Sequence, residues 1–359
     1  MNRHRTPQPW MRRPSGSGLI VVLWVIALLS MLISAFAFDM HIEARIISYC
    51  RKRLKAEYLA KGGVEYARAL LVRSTEITDD KVTDPKADKP WYDDAARLRH
   101  GKAVHATLPL GEGTITLDIV PEPARRSVNA LRDEDWERIL KLGGVPEEQW
   151  STLIDSYTDW RDPDDIPGVD GAETDDYYSR LDPPYKARGH GGQAGIIDTV
   201  DELLLIRGFS REILSGGVAE GAPEGTPAMS GIADLLTATP NAGVSVNAAS
   251  RRVLMTLPGI TDTIADAIIA EREGLTEGAQ NGKDAAFKSS ADFFSRVHEL
   301  GSLDPEERTY LTALINNMGS QVFRVTASGQ VYGVRRQILC VVQFDAGQMK
   351  VLRLTEQEG

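Results

Sequence analysis

An uncharged apolar segment close to the amino terminus constrains this chain more than any other feature. Residues 17–38 carry no charged side chain. As a helix, such a segment of about 22 residues rises about 33 Å and spans the ~30 Å hydrocarbon core of a bilayer. The arginines that precede it are Arg3, Arg5, Arg12 and Arg13. Because basic residues accumulate on the cytoplasmic side of a membrane helix, the sequence predicts a single-pass protein with a cytoplasmic amino terminus and an exported remainder.

A cleaved secretory signal is the first alternative for this segment. The apolar part of such a signal is about 7–15 residues long, and this one is longer. Neither Pro nor Gly occurs between Leu19 and Lys61, and apolar residues keep an approximately helical period as far as Leu59. The pattern therefore predicts one helix of about forty residues, of which half lies in lipid and half in water. The helical pattern then continues to about Arg73, despite Gly62 and Gly63.

The beginning of the segment resembles the class III signal of type IV pilins and type II secretion pseudopilins. A basic leader ends in Gly16, and the hydrophobic run Ser17-Gly-Leu-Ile-Val-Val-Leu follows it. In that family a prepilin peptidase cuts after the leader glycine and methylates the new amino terminus, so the resemblance implies processing between Gly16 and Ser17. The fifth residue after this cut, a glutamate in most major pilins, is Val21 here. In this respect the chain is similar to the large K-type minor pseudopilins.

Val21 has two explanations. In a filament, the glutamate carboxylate neutralises the amino terminus of an adjacent subunit inside an apolar bundle, where an unpaired charge is costly. A subunit with Val21 receives such a carboxylate from below but supplies none to a subunit above, which fits a position at the tip. Alternatively, valine simply makes a better membrane anchor than glutamate does.

Charge and cysteine content restrict the partners and the covalent links of the exported part. The formal net charge of −10 argues against nucleic acid or anionic lipid as its main partner. The two cysteines, Cys50 and Cys340, have the spacing of neither a metal nor a redox motif. In an oxidising periplasm they could form a disulfide between the part of the long helix beyond residue 38, which we call the stalk helix, and a late strand. Alternatively, Cys50 is an unpaired packing residue.

Two β-rich regions flank a long helical one. Residues 103–120 predict a hairpin with a Gly-rich turn, residues 319–359 predict a β meander, and residues 124–318 carry helical spacing. The resemblance implies an α+β, pilin-like fold, in which a long amino-terminal helix and an antiparallel β-sheet are interrupted by a large all-α insertion domain with helix-hairpin-helix-like units. The expected boundaries are 1–16 for the leader, 17–38 for the transmembrane part of the helix, 39–123 for the stalk helix and the first part of the pilin-like domain, 124–318 for the insertion and 319–359 for the last strands.

The densest group of carboxylates lies in residues 159–176, where only Arg161 is a local cation. Hard oxygen ligands without His or Cys suit Ca²⁺ rather than Zn²⁺. A solvated acidic loop is the alternative, because the stretch lacks the spacing and the central glycine of an EF-hand. The resemblance to K-type pseudopilins, a family that binds calcium, implies a structural Ca²⁺ site. The residues carried over as its ligands are Asp159, Asp162, Asp164, Asp165 and Glu173.

Residues 246–272 resemble a helix-hairpin-helix, with Pro258 and Gly259 in the turn. DNA-binding versions present this hairpin to phosphate. Here Asp262 and Asp266 begin the second helix and would repel phosphate, so we interpret the unit as a packing module and expect no nucleic acid partner. The sequence shows neither a nucleophile–base set nor a phosphate-binding loop, and we therefore expect no enzymatic activity.

Together with these patterns, the resemblance implies a minor pseudopilin at the tip of the type II secretion pseudopilus, inserted in the inner membrane and then extracted to nucleate and cap a periplasmic filament. The resemblance implies these partners: the I-type and J-type minor pseudopilins, the major pseudopilin, the prepilin peptidase and the inner-membrane secretion platform. The alternative is a permanently anchored, single-span periplasmic protein that binds DNA or peptidoglycan through its helix-hairpin-helix units.

Overall fold

The structure is a computed structural model of the chain. It describes residues 17–78, 83–218, 221, 223, 225–240, 243–275, 285–315, 320–345 and 347–358. The predicted leader, residues 1–16, lies outside the described residues.

The chain forms a long helix, a sheet and a mainly helical insertion. The α-helices are α1 (Ser17–Ser74), α2 (Tyr92–Arg99), α3 (Asp133–Gly143), α4 (Trp150–Arg161), α5 (Arg211–Ser215), α6 (Arg251–Leu254), α7 (Asp262–Glu273), α8 (Ser290–Arg296) and α9 (Pro305–Ile315). The strands are β1 (Val104–Leu110), β2 (Gly113–Pro121), β3 (Arg126–Ser127), β4 (Leu236–Thr237), β5 (Val322–Val331), β6 (Val334–Asp345) and β7 (Gln348–Glu358). Short 3-10 helices lie at Glu122–Ala124, Val128–Ala130, Glu147–Gln149, Tyr178–Arg180, Val200–Leu205, Ala233–Leu235 and His298–Ser302.

Helix α1 is exposed in its first half and buried against the sheet in its second. It is 58 residues long, and its amino-terminal part is apolar enough to span a membrane, which fits a single-pass anchor. Buried residues begin at Ala56 and recur at Ala60, Ala67 and Leu70. Because this spacing keeps them on one face of a helix, the second half of α1 presents a narrow stripe of mostly small side chains to the sheet. The predicted continuous helix is confirmed.

The main sheet is antiparallel and has the strand order β1-β2-β5-β6-β7. Leu110 and Gly113 close the predicted hairpin between β1 and β2, and β5, β6 and β7 form the predicted meander. Strand β2 pairs with β5 up to the pair Pro121 and Phe323. The insertion thus leaves the sheet and returns to it at the same place, which confirms the predicted interrupted, pilin-like α+β fold.

The insertion has its own hydrophobic core and one pair of strands. Trp136 and Trp160 belong to its cluster of buried side chains, whereas Leu70 and Val325 belong to the cluster between α1 and the sheet. Strands β3 and β4 pair in parallel within the insertion. The all-α description is therefore wrong in this detail, because strands of two residues are too short to produce any periodic signal.

Glycine lets α1 approach the sheet closely. On β5, a Cβ at Gly329 would lie 2.0 Å from the carbonyl oxygen of Ala56 on α1. On α1, a Cβ at Gly63 would lie 2.9 Å from the Cβ of Ala327. Packed interiors do not accommodate contacts this short without shifting the backbone. Small residues on both elements therefore set the distance between helix and sheet.

The suggested disulfide between Cys50 and Cys340 is wrong for this structure, in which both thiols are free. Cys50 is exposed on the stalk, whereas Cys340 is buried in the cluster that contains Ala67 and Leu70. At about 1.5 Å per residue, Cys50 lies about 25 Å before Ala67 along α1. A disulfide requires Cα atoms within about 7 Å of each other, so the folded chain keeps these cysteines apart.

Candidate metal centre

The carboxyl end of α4 and the loop after it bring together part of the acidic stretch. Asp159 lies in the last turn of α4, Asp162 follows the helix end, and Glu173 follows the turn of the loop. Each of these residues offers a carboxylate oxygen, and the three oxygens lie within 4.8 Å of one another. Three carboxylates at this separation repel each other strongly unless a cation or protons neutralise them.

Two carboxylate oxygens of this group are buried without a hydrogen-bond donor. Glu173 is only 1% exposed and Asp159 only 3%. The Oε1 atom of Glu173 and the Oδ1 atom of Asp162 are buried and have no hydrogen-bond partner among the described residues. Native structures contain few such atoms, and each one calls for an explanation such as a bound ion.

The electrostatics of the group follow from this burial. Burial raises the pKa of Glu173 to about 7, and the charges of Asp162 and Asp159 contribute in the same direction. The pKa values of Asp159 and Asp162 are also raised, mainly by burial and further by neighbouring carboxylates. The protein alone therefore disfavours three ionised carboxylates here, whereas a divalent cation would stabilise them.

The other two expected ligands lie outside this group. Asp164 accepts a hydrogen bond from the amide of Ile166 at 2.9 Å, and Asp165 lies 2.8 Å from Nδ1 of His190. Both carboxylates are exposed. Of the five residues carried over from the resemblance, the structure thus brings Asp159, Asp162 and Glu173 together and turns the remaining two to the surface.

Arg161, the one local cation in the sequence, does not neutralise the group. Its Nε donates to the carbonyl oxygen of Gly195 at 3.2 Å, and its Nη2 donates to that of Asn129 at 3.1 Å. Its Nη1 contacts the hydroxyl of Tyr157. The guanidinium therefore ties α4 to the surrounding loops, and the carboxylates keep their need for another cation.

Two further carboxylates support the loop and were not anticipated. Asp155 accepts a hydrogen bond from the amide of Asp170 at 3.0 Å, and Asp176 accepts one from the amide of Glu173 at 2.8 Å. The charges of both raise the pKa of Asp159, so they lie close to the group. Asp155 precedes Asp159 by four residues on α4, and this spacing, which places both on one helix face, is the signal that could have revealed it.

The loop backbone wraps closely around Asp159. The amide of Gly168 donates to both carboxylate oxygens, at 3.1 and 3.0 Å. A Cβ at Gly171 would lie 1.9 Å from Oδ2 of Asp159, so only glycine fits there. Asp159 therefore holds the loop in place while presenting its carboxylate to Asp162 and Glu173, and the donor set of hard oxygens fits Ca²⁺.

The aromatic residues beside the acidic loop form a packed wall. The rings of Trp160 and Tyr178 meet edge to face with their centroids 5.0 Å apart, and the ring of Tyr185 packs against that of Tyr178 with centroids 5.3 Å apart. The indole nitrogen of Trp160 donates to Glu202 at 3.1 Å. Their burial in the core of the insertion supports the interpretation of these side chains as packing residues.

The helix-hairpin-helix unit uses its polar residues internally. Arg251 of α6 contacts Asp262 and Asp266 of α7, each at 2.6 Å. The turn packs against Leu303, just before α9, because a Cβ at Gly259 would lie 2.0 Å from Cδ2 of that leucine. A cation paired with two carboxylates is not available to phosphate, so the geometry supports a packing role. Of the predicted processing site, Gly16 lies outside the described residues and Ser17 begins α1.

Comparison with known proteins gives one family and one fold. Residues 117–216 match the family described as "Type II secretion system (T2SS), protein K". The fold is similar to that of a chain in "The Crystal Structure of the GspK-GspI-GspJ complex from enterotoxigenic Escherichia coli Type 2 Secretion System", with a TM-score of 0.58 and 13% sequence identity over 88% of this chain and 100% of that chain. No curated protein matches the sequence. The family match over these residues and the shared fold support the resemblance to the K-type pseudopilins.

Proposed function

We propose that this chain, which its family match and fold identify as a K-type minor pseudopilin of the type II secretion system, nucleates and caps the tip of the pseudopilus. In this proposal α1 anchors the protein in the inner membrane with a cytoplasmic amino terminus, and the sheet and the insertion lie in the periplasm. The role is structural, in a family that is not known for enzymatic activity.

The observation that carries this proposal is the division of α1 into an uncovered and a covered half. Its first half exposes large apolar side chains from Leu19 to Phe38, and its second half forms part of the core of the body. A helix that projects from a body in this way suits a subunit that is held first by lipid and then by neighbouring helices, because both environments bury the same apolar surface.

A position at the tip is supported by two features of the chain. Val21 supplies no carboxylate to a subunit above, and the insertion adds a head of nearly two hundred residues, 124–318, to the pilin-like body. The structure with the similar fold is titled as a complex with GspI and GspJ. This complex supports the I-type and J-type minor pseudopilins as the neighbours of this chain. In the proposal the major pseudopilin is added beneath them.

The intact mass of the membrane-extracted protein tests the assignment. We expect the loss of the leader up to Gly16 and the addition of one methyl group at Ser17. Retention of the leader in cells with a working prepilin peptidase would instead favour the permanently anchored periplasmic protein. Gold labelling of pseudopili then tests the position: label at one end is expected, and label along the whole shaft would contradict a capping role.

We also propose a structural Ca²⁺ ion held by Asp159, Asp162 and Glu173. The proposal is supported by their converging oxygens, by the two buried oxygens without donors and by the absence of a described arginine or lysine paired with these three carboxylates. Bound there, calcium would supply positive charge that neutralises the carboxylates. The side chains would fix the end of α4 to the loop that follows it.

Calcium removal tests this site. For the full-length protein in detergent, a chelator is expected to lower Tm by about 5 °C, since an ion at about 100 times its Kd contributes about 2.7 kcal/mol of stability. Added Ca²⁺ should restore the original value, whereas Mg²⁺, which prefers a smaller octahedral site, should not. An unchanged Tm in the chelator would exclude a structural ion.

A further inference from the structure

A groove lies beside α1 where the helix meets the tips of two hairpins. It consists of two adjoining hollows of about 420 and 520 Å³ that share Lys55, Glu112 and Val331. Five large apolar side chains that line it are exposed and come from the stalk and from both hairpins: Ile47, Leu54, Tyr58, Leu110 and Tyr332. We call this surface the stalk groove.

The stalk groove is positively charged. Its charged side chains are Arg51, Lys52, Lys55 and Glu112. Glu112 is paired with Lys55 at 2.5 Å, and Lys52 lies over the ring of Tyr332 at 5.6 Å from its centroid. The ion pair leaves the positive charges of Arg51 and Lys52 without a carboxylate in the groove. An occupant with a carboxylate at this point would complement them.

Tyr332 occupies a backbone position that does not suit it. The turn between β5 and β6 has φ angles of 45° at Tyr332 and 82° at Gly333. Turns of this kind favour Asn-Gly, because most side chains are strained at positive φ. The tyrosine ring is nevertheless 68% exposed. Apart from Lys52, which lies over one part of it, this ring leaves most of its surface uncovered, and a strained residue with so much exposed aromatic surface points to a contact made with another molecule.

The height of Arg51 above the membrane argues against lipid head groups as the partner of its charge. Arg51 follows Phe38, the end of the apolar segment, by thirteen residues, which is about 20 Å along a helix. Lipid head groups extend only about 5–8 Å beyond the hydrocarbon core, and the attraction between charges decays over about 8 Å. A second helix that is anchored in the same bilayer and continues out of it, as α1 does, would reach the level of Arg51.

We propose that the stalk groove receives the amino-terminal helix of a neighbouring minor pseudopilin, through an apolar face that carries a carboxylate opposite Arg51 and Lys52. This inference rests on the proposed function, because it takes the partner from the same pseudopilus. It adds a defined surface to that function, namely the hollow between α1, the β1–β2 turn and the β5–β6 turn, and it assigns Tyr332 to the contact.

Co-purification of the full-length protein with the I-type and J-type minor pseudopilins of the same secretion system tests the proposal. Arg51→Glu places like charges together and is expected to reduce the recovered partners about tenfold. Its control is Arg68→Glu, on the same helix outside the groove. Tyr332→Asn should also reduce partner recovery, yet raise the Tm of the isolated protein by about 2 °C because Asn tolerates positive φ. Its control is Leu275→Asn, at an equally exposed apolar residue of the insertion.

The outcomes separate this proposal from the one on which it rests. If the unaltered protein recovers neither partner, the proposed pseudopilus role fails. If it recovers them and Arg51→Glu and Tyr332→Asn recover them equally well, the role stands and the stalk groove is not the contact. Loss of binding to phosphatidylglycerol vesicles in Arg51→Glu, with partner recovery unchanged, would identify a lipid site and overturn the inference.

Discussion

Asp162 shows how the surroundings of a single carboxylate determine its need for a counter-charge. It lies within 4.8 Å of ligand oxygens of Asp159 and Glu173, and its own Oδ1 is buried without a donor. Burial and the nearby carboxylates raise its pKa. Without a cation, ionisation of this residue costs free energy, and with calcium the same charge contributes to binding. The residue should therefore affect stability in opposite directions in the two conditions.

Replacing Asp162 tests this reversal. Asp162→Asn removes one of three repelling charges, so we expect the calcium-free protein to gain about 1–3 kcal/mol of stability. The same change should abolish most of the Tm increase that calcium gives. Asp164→Asn is the matched control, because its exposed oxygen can still accept the hydrogen bond from Ile166 and lies outside the group. Thermal unfolding with and without Ca²⁺ measures both effects. If calcium-free Asp162→Asn is less stable than the calcium-free unaltered protein, the prediction is contradicted.

At this scale the sequence identified the acidic loop as a candidate site but did not predict its geometry. The density of carboxylates and the lack of His and Cys indicated a hard cation. Which oxygens converge depends on the path of the loop, which the amides of Gly168 and Asp170 set by bonding to Asp159 and Asp155. Such backbone contacts leave no pattern in the sequence, so Asp164 could not be told apart from Asp162.

Among the elements, the contact between α1 and β5 depends on a missing side chain. Gly329→Ala would place a methyl group 2.0 Å from the carbonyl oxygen of Ala56, so helix and sheet must separate. Overpacking of this kind costs about 1–3 kcal/mol. Gly301→Ala is the control, because a Cβ there meets nothing within 4 Å. Urea unfolding of the full-length protein in detergent should show the loss for Gly329→Ala alone, and equal midpoints for both variants would contradict the prediction.

Long periodic elements were predictable, and contacts between elements were not. The helix α1, the β1–β2 hairpin and the meander from β5 to β7 all follow from patterns that extend over many residues. The pair formed by β3 and β4 does not, because each strand has two residues and its partner lies more than a hundred residues away. The separation of Cys50 from Cys340 likewise depends on where α1 crosses the sheet rather than on the spacing of the cysteines.

The molecule as a whole joins its insertion to its body through buried polar contacts. Lys102, just before β1, contacts the last turn of α7 at the carbonyl oxygen of Arg272. Asn247 of the insertion donates to the carbonyl oxygen of His100 at 3.2 Å. On the other side, Glu122, just before the insertion, accepts a hydrogen bond from Arg324 of β5 at 2.7 Å and another from the hydroxyl of Thr237 in the insertion. These contacts hold the insertion in a fixed relation to the sheet, as the proposed capping role requires.

The contacts of the Glu122 carboxylate depend on pH. Burial alone would raise the pKa of Glu122. Arg324 lowers it through hydrogen bonds and charge, and a hydrogen bond from Thr237 and the charge of Arg125 act in the same direction, so the pKa lies below its usual value. A carboxyl group with a lowered pKa contributes stability above its unfolded pKa, and this contribution is lost as the pH falls through the folded value. The link between head and body should therefore weaken in acid.

Arg324→Met tests this link, because it leaves Glu122 as a buried charge without its main partner. We expect a loss of about 3–5 kcal/mol at pH 7, measured by urea unfolding. In the variant, burial is no longer opposed by Arg324 and should raise the pKa of Glu122, so protonation relieves the cost. The difference from the unaltered protein should thus shrink as the pH falls from 7 towards 5.

The control is Arg335→Met, which removes a guanidinium bonded to Ser328 on the same sheet. It should cost less than about 1 kcal/mol at either pH. A loss in Arg324→Met that does not change with pH would show that packing of the arginine, rather than the charge of Glu122, holds the insertion to the sheet.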